Sequence, residues 1–485
     1  ANAARGQAGV LSFLATESAT GRVSNVRSFW IFNGLVVTSS AETLLALAGR
    51  PDVAMIREDR WRRWVDATFE PADLRAQSDA LPWNMLRIGA DRVWHTLAIS
   101  GTGVTVAIMD TGVDWQHPAL QAQYRGYKPG GLTIHQGNWS CTTTEGALYP
   151  VDGYGHGTHV AGTVLGRAVG DGQAIGVAPG AQWIAVKTLN DSGYGYDSWI
   201  HAAFEWLLAP AGNPTLAPDV VNASWGNDIG ELEVFRADIQ ALRAAGIIPV
   251  FAAGNAGPEA GTVGRRARLA EAIAEGARGD LDRVLPCSSR GPSFWAEVKP
   301  EVVAPGIDIL SSLPGGAYAS AYGTSMATPH VSGLAALLLQ ADGGLSVDAV
   351  EALITATALP LGDLVPNNDS GWGRIDAYRA VATALHAGTI AGRVQSAGDQ
   401  LPLPDAQIAV YDEQGQRRAV ARSDAGGLYS VALPAGVYRV SGEAFGFAAQ
   451  AVPDVLVQAN VTVTVDLTLA PLPLGTLEGE VRNAE

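Results

Sequence analysis

Residues 321–340 read AYGTSMATPHVSGLAALLLQ, and this stretch decides how the rest of the chain is read. Val331, Leu334, Ala335, Leu338 and Leu339 recur at helical spacing, so the segment predicts an apolar, deeply packed helix. Gly323, Thr324 and Ser325 open it, and Pro329 follows closely. A proline is tolerated in a helix's first turn, where backbone N–H groups have no internal partner. Thr324 or Ser325 at such a start is ordinarily an N-cap. A reactive hydroxyl is the competing reading, and the residues elsewhere in the chain decide between them.

Outward from that helix, residues 83–387 alternate short apolar runs with helical segments. The runs are GVTVAIMD, QWIAVKTL, DVVNASWG, IIPVFAAGN and EVVAPG. Continuous apolar strands separated by helices predict a parallel α/β sheet covered on both faces. VTVAIMDTGVD ends its strand in Asp110, and the carboxyl ends of such strands are where these folds place ligands. DGYGHGTHVAGTVLG sets His156 at a helix start, and VFAAGNAGP ends a strand near Asn255. A serine needs a neighbouring base, and an imidazole base needs a third group to fix its tautomer. An asparagine amide can donate to a developing oxyanion. Asp110, His156, Asn255 and Ser325 supply all four roles.

DTGVD, HGTHVAGT, AAGNAGP and GTSMATPHVSG, in the order Asp, His, Asn, Ser, resemble the subtilisin-like serine endopeptidases, the subtilases. The resemblance covers about residues 83–385, with SSRGPS and KPEVVAPG as further pieces. It implies a subtilisin-like three-layer parallel sheet with Asp110, His156 and Ser325 as the catalytic triad. It further implies Asn255 in the oxyanion hole and a peptide or protein substrate bound as an added strand. Ser224, Trp225, Gly226, Ala252, Ala253 and Gly254 would line the substrate, with LNDSGYGYDSWI as the opposite wall. Glycine and alanine linings without a nearby carboxylate point to apolar or broad specificity. No cofactor is implied for the chemistry. Structural calcium occurs in many relatives, but its usual ligands are not found here: HPAL places Ala119 after His117, and LGRAVGDGQAIGVAPG lacks an Asn-rich loop, leaving any metal site unknown.

Bland readings hold for the neighbours. His159, Asp114 and His117 read as structural. Asp191 and Asp369 follow polar residues and read as turns, so a two-Asp aspartic protease is set aside. Residues 262–286, TVGRRARLAEAIAEGARGDLDRVLP, interrupt an expected strand with Glu275 and several charges, and leave the pocket floor open.

Residues 1–66 predict α-β-β-α-β, one initial strand short of a ferredoxin-like unit. Asn33-Gly34 marks a hairpin, Ser40 caps a helix closed by Gly49, and DVAMIRED reads as the last strand. The resemblance makes this region an inhibitory propeptide, hence an intramolecular partner, and the chain a zymogen with a maturation site in the linker 67–82. From 388 to 470 the composition turns all-β. Val457 to Leu469 alternate as one half-buried strand, and GRV, PDAQIAVYDEQG and SDAGGLYSVALPAGVYRV resemble the carboxypeptidase regulatory-like, prealbumin-type sandwich. GTIAGRV at Gly388 returns as GTLEGEV at Gly475, so residues 471–485 read as the start of a second module.

The 485 residues carry a formal charge of −16, which argues against nucleic acid and anionic membranes, and no apolar run is long enough to span a bilayer. The expectation is a secreted or cell-surface monomer whose signal peptide is not in this chain. Cys141 and Cys287 leave bridge and free thiol both open. The alternative function is a catalytically inactive scaffold on a protease fold.

Overall fold

The structure is a computed structural model that describes residues 2–72, 81–167, 174–226, 234–264, 267, 269–294, 297–415 and 417–473. Contacts divide the chain into two units, residues 1–347 with 357–381, and residues 348–356 with 382–485.

The first unit opens with α1 (Asn2–Ala19), β1 (Val23–Phe29), β2 (Gly34–Ser39) and α2 (Ala41–Ala48), around Val10, Leu14, Val23 and Leu47. Ser40 caps α2, its hydroxyl accepting the Thr43 N–H at 3.2 Å. The hairpin is present, but Phe29 pairs with Gly34 across residues 30–33, so Asn33-Gly34 is not itself the two-residue turn. No strand forms in DVAMIRED: Met55 is 70% exposed and Ile56 43%, so there is no buried face to pleat against. The next strand, β3 (Trp61–Arg63), and β4 (Phe69–Pro71) pair with strands far along the chain.

After the short helices α3 (Trp83–Ile88) and α4 (Ala90–Leu97) come β5 (Thr105–Asp110), β6 (Trp139–Cys141), α5 (His156–Leu165), β7 (Gln182–Lys187), β8 (Tyr194–Tyr196) and α6 (Asp197–Leu208). Then follow β9 (Val220–Ala223), α7 (Arg236–Ala244), β10 (Ile248–Ala252), β11 (Ile273–Arg278), β12 (Val302–Pro305), β13 (Ile309–Leu313), β14 (Ala317–Ala321) and α8 (Thr324–Ala341). Seven strands form one parallel sheet in the order β12-β11-β10-β9-β5-β7-β6. Its direction of growth reverses at β5, so the end of β5 is the crevice where such sheets bind ligands. Ala107 and Met109 of β5 face Phe204 of α6 and Ile239 and Leu242 of α7.

The other face is covered by α8, whose Val331, Leu334, Leu337 and Leu338 are fully buried. Burial on this scale stabilises by roughly 1.5–3 kcal/mol per large side chain. Pro329 is sixth in α8, beyond the opening turn, so the Ser325 carbonyl loses the N–H it would receive from that position. The charged run did not cost the sheet a strand: β11 lies between β10 and β12 with Glu275 and Arg278 fully buried. Backbone pairing on both sides outweighs its polar side chains.

In the second unit, residues from α9 (Val347–Thr357) and α10 (Ala377–His386) precede β15 (Gly388–Ser396), β16 (Gln407–Tyr411), β17 (Arg417–Arg422), β18 (Leu428–Leu433), β19 (Gly436–Glu443), β20 (Gln450–Val457), β21 (Thr462–Thr464) and β22 (Leu467–Leu469). Sheets β17-β16-β19-β20 and β18-β15-β21, with β22 also on β15, enclose Ile390, Val394, Ile408, Val410, Val440 and Leu467. The alternating run from Val457 is thus not one strand. It ends β20, turns at Asn460 with φ 58°, and resumes as β21 and β22. Most of the predicted second module lies outside the described residues.

Candidate active site

Asp110 is the last residue of β5 and His156 the first of α5. Gly157 allows their approach: a β-carbon there would stand 2.0 Å from the Gly112 carbonyl oxygen and 3.1 Å from Cβ of Asp110. His156 Nδ1 lies 2.8 Å from Asp110 Oδ1, with both side chains fully buried. A carboxylate can only accept here, so Nδ1 carries the proton and Nε2 is left as the basic nitrogen. Nε2 is buried without a hydrogen-bond partner among the described residues.

Ser325 is the second residue of α8 and half-buried; α8 packs against α5, and no hydrogen bond joins the hydroxyl to His156 among the described residues. Gly323 precedes the helix at φ 119°, a conformation that favours glycine. Asn255 Oδ1 accepts the N–H and the hydroxyl of Thr324, both at 3.0 Å. The backbone donor fixes the amide orientation, so Nδ2 remains to donate. A β-carbon at Gly323 would stand 3.2 Å from that nitrogen.

Asp152, which the sequence reading passed over, holds this corner together. Oδ1 accepts from the Thr111 hydroxyl and the N–H groups of Tyr154 and Gly155, and Oδ2 from the N–H and hydroxyl of Thr158. Thr111 N–H in turn donates to Asp110 Oδ1 at 2.7 Å. Burial raises the Asp152 pKa, opposed by those bonds and by Lys187. Lys187 donates to the Thr111 carbonyl and to Asp191, both at 2.6 Å. Burial disfavours its charge, but Asp191, Glu145 and Asp152 more than offset that, and its pKa is raised. An Asp four residues before His156 in a Gly-rich turn was the available signal, since Asx side chains bond backbone two or three residues on.

The remaining candidates have local tasks. His159 Nε2 meets the Ala319 carbonyl at 3.1 Å, and burial drives its pKa down to about 3. His117 lies between the Ala317 carbonyl and the Ala119 N–H, and Asp114 accepts the Gln116 and Gly315 N–H groups. The Ala119 side chain is a fully buried methyl without the carboxylate such a calcium position uses, and its carbonyl already accepts the Arg167 N–H at 2.9 Å, so the residues there do not fit that position. Among the described residues no group of three or more His, Cys, Asp or Glu side chains is placed to hold a metal ion, and Cys141 and Cys287 are free thiols.

Residues 61–71 pair in turn with β8 and with β14. β3 pairs antiparallel with β8, the Trp64 N–H donates to the Gly193 carbonyl at 2.8 Å, and the Gly226 N–H donates to the Trp64 carbonyl at 3.2 Å. Trp64 packs edge-on against Trp225 at 5.7 Å. Beyond it, the Ala67 N–H donates to the Tyr154 hydroxyl at 3.1 Å, and β4 pairs with β14, which leads into Gly323. The Ser224 hydroxyl accepts from Asn222, while Ala252 closes β10 opposite Glu275 and the N–H groups of Ala253 and Gly254, just beyond it, donate to the Glu275 carbonyl and the Thr324 hydroxyl.

The subtilase family profile matches residues 101–373, more than half of the chain. This chain belongs to the subtilase family of serine endopeptidases. The carboxypeptidase regulatory-like domain matches residues 389–470. Bacillopeptidase F of Bacillus subtilis (strain 168) is 39% identical over 453 residues, covering 88% of this chain and 31% of that protein. M-protease of Shouchella clausii (strain KSM-K16) is 34% identical over 71% of this chain and 78% of its own length. Subtilisin E of Bacillus subtilis (strain 168) is 33% identical over 70% and 78%. The chain thus spans about a third of bacillopeptidase F and most of the two shorter relatives. Subtilases need no cofactor for catalysis, and among the described residues no helix is long and apolar enough to cross a membrane.

Proposed function

We propose that the chain is the zymogen of an extracellular or cell-surface serine endopeptidase, with residues 1–66 as an inhibitor-like region seated in its own substrate cleft. Ser325 is the nucleophile, His156 Nε2 takes its proton, Asp110 orients and stabilises the imidazolium, and Asn255 Nδ2 donates to the oxyanion. The leaving amine takes the proton from His156, and water then hydrolyses the acyl-enzyme on Ser325. The observation that carries this reading is the buried Asp110–His156 bond of 2.8 Å, with Nε2 left without a hydrogen-bond partner among the described residues.

The seating of the N-terminal region is supported by main-chain pairing on both sides of the catalytic corner. β3 lies on the wall formed by β8 and Gly226, and β4 lies on β14. Docking away from the cleft adds to it. Glu205 Oε2 accepts the Trp30 N–H at 2.6 Å, Asp59 accepts the N–H and hydroxyl of Ser198, and Arg57 meets His201 Nε2 at 3.0 Å. We put the bond cut during self-processing between residues 64 and 69, at and just before the start of the linker 67–82 expected from the sequence; the passage of this segment from one wall to the other supports that position.

Two measurements test this. N-terminal sequencing of incubated protein should find a new terminus within residues 65–69 in the wild type and none in Ser325→Ala. A fluorophosphonate probe should label processed wild type at Ser325. Equal cutting of both proteins at one site would remove self-processing, and a processed protein that never labels would remove the peptidase.

A further inference from the structure

Two side chains of the cleft segment enter built receptors. Trp64 is 3% exposed, packs against Trp225 and Phe235, and donates from Nε1 to the Gly195 carbonyl at 3.0 Å. Arg62, opposite Gly195 in the β3–β8 register, donates from Nη2 to Asp197 Oδ2 at 2.8 Å. That ion pair is withdrawn from water, with side-chain exposures of 9% for Arg62 and 6% for Asp197. The Arg62 guanidinium also lies 5.4 Å from the Trp64 ring centre. The adjacent Arg63 behaves as a surface residue, pairing with the largely exposed Asp66 of its own segment.

Asp197 begins α6, and an acid in a helix's first turn is favourable without any ligand. Here a second observation exists, since a guanidinium from another segment is already buried against it. Asp197 Oδ1 is buried with no hydrogen-bond partner among the described residues, leaving acceptor capacity for a second N–H. When that segment leaves, water takes the place of the guanidinium at the carboxylate, and a substrate that buries Asp197 again must bring a cation to it or leave its charge unpaired.

We infer that Asp197 is a specificity-determining residue: it selects peptide substrates with an arginine at the place Arg62 occupies, two residues before a large aromatic seated as Trp64 is. This rests on the reading that residues 61–71 lie in the cleft as a substrate does. It adds a charged requirement at the β8 end of a groove whose Gly and Ala linings alone suggested apolar or broad selection.

The test uses self-processed full-length chain and three internally quenched peptides copying residues 60–71, with the native Arg, Gln or Glu at the Arg62 place. Wild type should favour the Arg peptide over the Gln peptide at least about tenfold in kcat/KM, mainly through KM, as expected for a buried charge-assisted bond. Asp197→Asn should bring that ratio to within about twofold, and Asp197→Lys should favour a peptide with Glu there. A wild-type ratio near one, which needs no variant, or an Asp197→Asn enzyme that keeps the wild-type ratio, would overturn the inference and leave the peptidase standing. If self-processed wild type cuts none of the peptides, the reading that residues 61–71 lie in the cleft as a substrate does falls and takes this inference with it, while probe labelling at Ser325 decides the peptidase separately.

Discussion

Asp152 touches no reacting group, yet its carboxylate accepts from Thr111, Tyr154, Gly155 and Thr158 around the start of α5. It is a positioning residue for the Asp110–His156 pair. Asp152→Asn replaces one acceptor oxygen by a donor facing other donors, so the turn before His156 must shift. The expected outcome is a fall of about 10–100-fold in kcat with KM changed less than about threefold, and fluorophosphonate labelling slowed in parallel. Unchanged labelling would show that the turn tolerates the loss. At this scale the sequence singled out Asp110, His156, Asn255 and Ser325 as candidates, because each combined a reactive side chain with a recurrent local pattern. Asp152 was less visible because an acid in a Gly-rich turn has many uses; four of its five bonds are local, and the one to Thr111 appears only when the chain folds.

The elements show what burial does to titrating groups. His330 lies on α8, its Nδ1–H donating to the Met326 carbonyl and its Nε2 accepting from Asn84 Nδ2, both at 2.8 Å. Burial lowers its pKa to about 4. The folded histidine is neutral while the unfolded one binds a proton below about 6.5. Its stabilising contribution is therefore complete above that value and is lost as pH falls from about 6.5 to about 4. His159 acts in the same sense, whereas Asp152, Asp219 and Asp238, whose pKa values burial raises, act in the opposite one. In a Ser325→Ala background that prevents self-digestion, His330→Gln should lower Tm at pH 7 and lower it progressively less towards pH 4.5. A Tm difference independent of pH would exclude the neutral, buried state.

β11 makes the complementary point about elements. Its charges hid a strand from periodicity, because backbone hydrogen bonds to β10 and β12 are indifferent to side-chain type. DVAMIRED failed in the reverse direction. Its β-like composition pairs with no strand among the described residues, and Met55 stayed exposed.

On the scale of the whole molecule, residues 1–66 meet the catalytic body through contacts over a hundred positions apart. Glu205 binds the Trp30 N–H, Asp59 binds Ser198, and His201 is enclosed by Phe29, Phe32, Phe235, Arg57 and Asp238. Bonds to charged groups at such an interface contribute roughly 1.5–3 kcal/mol each. Glu205→Ala should thus weaken retention of the cut N-terminal fragment about 10–100-fold, read as earlier fragment loss in gel filtration and a shorter lag before activity. An unchanged lag would locate the control elsewhere. The amino-acid sequence by itself determined the class of fold and brought forward Asp110, His156, Asn255 and Ser325 as the candidates for the chemistry, since apolar period, glycine placement and motif spacing are local properties. Only the tertiary structure decided that β3 leaves its own region to pair with β8, that Asp197 holds a guanidinium, and that Asp152 braces Thr111. Those depend on which segments meet in space, and pairing energies between distant backbones leave no periodic trace in either partner.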